Sequence, residues 1–164
     1  MRLEQGQVLP PRAARLLKVC YALVLLIVLL GISAWVPGDE GRLWLARAVN
    51  VLVALYLWLL GGLYLAPLFG SPTGQGPEGH SAPGLGAALT VPLLLAAISP
   101  LMPPGVGAPV LLVAVLLYLL IEKLPSQAAL WPVAWRTARR QQSQLLVVAL
   151  ASVAVAAWTA GQTY

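Results

Sequence analysis

Three arginines, Arg136, Arg139 and Arg140, fall close together just after Trp131-Pro132. A proline in the first turn of a helix costs no hydrogen bond, so a helix can start there. On such a helix Trp135 and Ala138 share one face and the three arginines share another. The chemistry this offers is attraction to anionic lipid headgroups, worth about 1 kcal/mol per basic residue at a membrane surface. The same segment also reads as an extension of the last apolar helix. A second candidate is the pair Thr90 and Pro92, with Ser99 and Pro100 further on. Proline can break a membrane helix so that freed carbonyls line a site, or it can sit in a helix that merely bends. A third is a set of small residues one turn apart: Gly62 and Ala66, then Ser152, Ala156 and Ala160. Small side chains let helix backbones approach closely. They serve either docking onto a partner or a second copy, or packing inside this chain.

Other chemistry has no residues to carry it. The one histidine, His80, stands two residues after Glu78 in the Gly/Pro/Ser-rich segment 70–84, and one His with one Glu does not make a metal site. The one cysteine, Cys20, excludes an internal disulfide and a CxxC pair. No phosphate-binding glycine loop and no GxSxG elbow is present. The sequence therefore offers no catalytic, cofactor or metal site, and a non-enzymatic role is expected. Nucleic acid is not an expected partner, because the basic clusters read first as signals of membrane topology despite a pI of about 9.9.

The elements that would position these residues follow from composition. Of 164 residues, 60% are apolar and 9% charged, against about a quarter charged in an average soluble domain. A mean hydropathy of +0.85 goes with this. The charges are clustered, and the gaps between them predict helices at about 19–36, 48–69 and 145–160, while the stretch from Glu78 to Glu122, without Asp, Glu, Lys or Arg, is long enough for two, at about 85–101 and 106–121. A crossing of the roughly 30 Å hydrocarbon core needs about 20 residues. The third and fourth helices are joined by a tight turn at Met-Pro-Pro-Gly-Val-Gly, 102–107. The expected fold is an all-α bundle of about five transmembrane helices, with a basic N-terminal tail 1–18, a single membrane domain 19–164 and a basic loop 122–144. A re-entrant hairpin at 85–121 is the competing arrangement.

Counting basic residues sets the sides. With five spans, eight of the ten Lys and Arg lie in the N-terminal tail and the 122–144 loop, and only Arg42 and Arg47 lie opposite. Four spans would put four against six. The positive-inside rule thus favours five, with the N-terminus cytoplasmic and the C-terminus outside. Trp35, Trp44, Trp158 and Tyr164 then gather at the outer boundary, and Tyr21, Tyr118, Trp131 and Trp135 at the inner one. Trp58 falls in mid-span. The first apolar stretch reads as a retained helix, since Ile32-Ser33-Ala34 is a poor cleavage pattern. The Ala/Leu/Gly/Pro-heavy composition suggests a bacterial inner membrane. Every ionisable residue is expected in a loop or at a helix end, with only hydroxyls and Asn50 inside. Absence of intramembrane charge weakens a proton pump or charged-substrate carrier. The expectation is an accessory, assembly or scaffold component of a membrane complex, touching lipids and a protein partner or a second copy. A small carrier or channel for a neutral or apolar solute, and a lipid-handling enzyme, are the alternatives.

Overall fold

The computed structural model describes residues 11–36, 38–69, 83–123 and 133–161. Five helices account for nearly all of them: α1 Pro11–Ser33, α2 Asp39–Phe69, α3 Pro83–Ile98, α4 Pro104–Glu122 and α5 Val133–Gly161. Proline opens α1, α3 and α4, at the position where its missing N–H is no loss. At the start of α2, Asp39 and Glu40 place negative charge against the positive end of the helix dipole. The Gly38 carbonyl accepts the Arg42 N–H at 3.0 Å. A short 3-10 turn, Ser99–Leu101, follows α3. The Pro103 carbonyl then takes both the Val106 and Gly107 N–H groups at 2.9 Å to start α4.

The fold is an all-α bundle, and four of its helices are long and apolar enough to cross a membrane. The helix α3 is shorter, but with its 3-10 turn it extends about 30 Å. The helix α5 packs on α4, α1 and α2, while α3 packs on α2 and α4. Large apolar side chains cover the outside, among them Leu29, Ile32, Leu55, Leu94, Leu120 and Val148. That is the inverse of a soluble surface and what a hydrocarbon solvent permits.

Several boundaries differ from those expected. The helix α1 begins at Pro11 rather than near 19 and stops at Ser33. The helix α2 begins at Asp39 rather than 48. The largest difference from the expected bounds is α5, one continuous helix from Val133, so that residues 133–144 of the expected basic loop are the extension of the last apolar helix that the sequence also allowed. Charge gaps mark where lipid begins, whereas a helix continues as long as its backbone bonds do. The 102–107 turn is also tighter than expected, since Gly105, Val106 and Gly107 already belong to α4.

Close approach between helices depends on two glycines. A Cβ on Gly61 would stand 2.7 Å from Leu93 Cδ2 and 2.9 Å from the Tyr118 hydroxyl oxygen. The bare backbone there lets that hydroxyl donate to the Leu57 carbonyl at 3.0 Å, joining α4 to α2. A Cβ on Gly107 would meet the Ser99 carbonyl oxygen at 2.7 Å, so glycine allows α4 to fold back against the 3-10 turn.

Candidate functional site

At the end of the bundle where α4 finishes and α5 starts, a charged pair is buried between helices. Arg139 of α5 is 1% exposed. Its Nε and Nη2 both donate to Glu122 Oε1, at 3.2 and 3.0 Å. Its Nη1 donates to the Tyr56 hydroxyl and to Gln142 Oε1 at 2.9 Å. The guanidinium carbon also lies 5.6 Å from the Tyr56 ring centre, within cation–π range. Tyr64 donates to the same Glu122 oxygen at 2.6 Å, and Tyr56 donates to Gln142 Oε1 at 2.8 Å. The cluster therefore draws two tyrosines from α2, a carboxylate from α4, and an arginine and an amide from α5. At its edge Tyr21 of α1 donates to Gln141 Oε1 at 2.6 Å.

Outside this pair lies a cleft of about 380 Å³. Glu122, Arg139 and Tyr64 contribute to its inner wall, and Lys123, Arg136 and Arg140 bring three more cations to it. All three are exposed. Leu119, Val133 and Trp135 add apolar surface. Ala138 and Trp158 stand 20 residues, about 30 Å, apart along α5, which is the length of one membrane crossing. By the same count α4, about 28 Å long, ends with Glu122 near the level of Ala138.

The structure corrects three expectations about these residues. Arg136 and Arg140 face outward, but Arg139, at the same level, does not. It turns inward on the face that also carries Trp135, Ala138, Gln142 and Leu146. The expectation that no charge lies among the helices fails with it. Thr90 and Pro92 do not break α3, which is helical from Pro83 to Ile98 with Pro92 inside it. A proline is tolerated in a membrane helix where its surroundings relieve the lost bond; here Pro92 is buried and Thr90 is exposed.

The small residues divide. Ala156 and Ala160 are fully buried within the chain, so its own helices cover them. Ser152 is half-buried and accepts the Trp35 indole N–H at 2.8 Å, joining α5 to the turn that follows α1. Gly62 faces outward, and a Cβ there would meet nothing within 4 Å. Ala66 belongs to α2 but its side chain is not among those described, and Glu78 and His80 lie outside the described residues.

Sequence reasoning passed over the Glu122–Arg139 pair and its tyrosines. A signal existed: stepping back from Leu146 by three or four residues reaches Gln142, Arg139 and Trp135, the buried stripe of α5. Among the described residues no group of three or more His, Cys, Asp or Glu comes together that would hold a metal ion. Chemically, the pair balances its own charge and ties three helices together, while the cleft beside it carries an excess of positive charge.

Fold and site together define an all-α membrane bundle with a buried ion pair at one end. The sequence matches no known family model, no curated protein and no solved structure. The chemistry of the site has to be argued from its own residues.

Proposed function

We propose that the chain is a multi-pass, non-enzymatic membrane component that assembles with a partner helix through the outer face of α2. Its N-terminus is cytoplasmic and its C-terminus outside, in a bacterial inner membrane. The observation that carries this reading is Trp58. It is 50% exposed, and its indole N–H has no hydrogen-bond partner among the described residues. It lies about 16 Å along α2 from Arg47, which is mid-depth in a core of roughly 30 Å. Tryptophan prefers the interfaces, and an unpaired N–H facing hydrocarbon is costly. One turn further, Gly62 leaves an open notch beside the ring. Ridge and notch together suit a membrane helix that carries small residues and offers a hydrogen-bond acceptor to Trp58.

The buried pair supports an assembling role over a transporting one. Its charges are paired within the chain, and an apolar layer containing Val53, Leu111, Leu146 and Leu150 separates it from Asn50 near the other end. Native mass spectrometry of gently extracted protein tests the proposal. Wild type is expected to carry a stoichiometric partner, and Gly62→Leu to lose it while remaining folded. A lone chain in both samples would remove the basis for the reading.

A further inference from the structure

The cleft beside Glu122 has a lining that the assembly reading does not use. Four cations and one carboxylate border it. Arg139 is matched by Glu122 at 3.0 Å, so the charges of Lys123, Arg136 and Arg140 remain. Among the described residues none of these three has an acidic partner. Arg136 and Arg140 stand one turn apart on α5, and Lys123 approaches from the end of α4, so cations from two helices converge on one volume. Three like charges held together repel one another and favour an anion between them.

The surroundings say which anion. The cleft lies near the level at which the hydrocarbon of α4 and α5 ends, where lipid phosphates reside. Its wall is mixed, since Leu119 and Val133 border the same space as the cations. A small soluble anion has no use for that apolar side, whereas a phospholipid presents a phosphate and the start of its acyl chains together. The volume of about 380 Å³ also falls in the range of small-molecule sites. We propose that this cleft is a binding site for the phosphate of an anionic phospholipid, with Arg136, Arg140 and Lys123 on the headgroup and Leu119 and Val133 against its chains. The Arg139–Glu122 pair positions α5 against α4 and so fixes the spacing of the cations.

The test is lipid titration of the detergent-solubilised full chain, read by native mass spectrometry. Phosphatidylglycerol is compared with phosphatidylcholine of the same chains, and inorganic phosphate serves as competitor. Phosphatidylglycerol is expected to bind at least tenfold more tightly than phosphatidylcholine. Arg136→Gln with Arg140→Gln is expected to weaken it about 30-fold, the share of two headgroup-level arginines. The matching pair of lysine substitutions keeps most of the affinity, which separates lost charge from lost fold. Arg47→Gln, at the opposite end, leaves it unchanged. Equal binding of the two lipids, or an equal loss in Arg47→Gln, would overturn the proposal. Displacement of phosphatidylglycerol by inorganic phosphate at equal concentration would also overturn it, and would assign the cleft to a soluble anion.

Discussion

The two ends of the bundle satisfy their buried polar groups by opposite means. At the Glu122 end, long side chains reach across helices and bond one another, with Arg139, Glu122, Tyr56, Tyr64 and Gln142 in one connected set. At the other end, apart from the Trp35–Ser152 bond, the side chains are short and answer to backbone. Ser99 donates to the Ala96 carbonyl at 3.2 Å. Asn50 reaches the Pro104 carbonyl at 3.3 Å, and its Oδ1 has no partner among the described residues. There, fit comes from Gly107 against Ser99 rather than from charge. The first end is held by interactions whose loss exposes a charge. The second is held by the absence of atoms. Removing a partner should therefore damage one end, and adding bulk should damage the other.

That contrast can be broken most forcefully at the ion pair. Glu122→Leu leaves Arg139 buried without a counter-charge and is expected to cost about 3–5 kcal/mol of stability. Adding Arg139→Met to it should restore most of the loss, because removing both charges of a buried pair is often near neutral. Reversible unfolding in mixed micelles measures both variants; equal losses in the two would mean that the charges are not what matters there. A smaller effect is expected from Gly107→Val, about 1–3 kcal/mol, since its Cβ would press on a backbone oxygen. Gly105→Ala is its control, because a Cβ there meets Ala157 Cβ only at 4.0 Å. If the two glycine variants unfold alike, close packing at the turn is not the constraint. The smallest effect belongs to Trp35→Phe, which removes one hydrogen bond to Ser152 and is expected to cost about 1 kcal/mol. A loss of that size, and not of several kcal/mol, would place the α1–α5 contact among the neutral bonds.

The helical class and the number of helices were legible because a 9% charged chain clusters its charges, three gaps between clusters have the length of one membrane helix, and Met-Pro-Pro-Gly divides the fourth, longer one into two. Helix ends were less legible. The run Arg136–Gln144 holds one apolar residue, Ala138, yet α5 passes through it because Trp135, Ala138, Gln142 and Leu146 keep one phase. Arg139 sits in that phase and its neighbours do not. Three arginines in a row of five positions look equivalent until the direction of the core is known. Gly61 and Gly62 pose the same difficulty. Both satisfy a small-residue spacing, but α2 is packed against four neighbours, and its sequence does not say which glycine turns inward. The partner for Arg139 was harder still, because pairing α4 with α5 at that depth is a property of three dimensions.

Tyr21 of α1 and Trp35 just beyond it reach α5 across more than a hundred residues of sequence, bonding Gln141 and Ser152. Of these five helices, the earliest made thus finds a principal companion in the latest made. During synthesis α1 has only α2 to pack on until α5 has been made. Arg139 arrives in that same segment, and Glu122, Tyr56 and Tyr64 have by then already been inserted. The last helix delivers its buried cation to a carboxylate already in place, so completion of the bundle and neutralisation of its most costly charge are one event. A chain interrupted before α5 would lack both, leaving a carboxylate without its cation and a first helix without its seam.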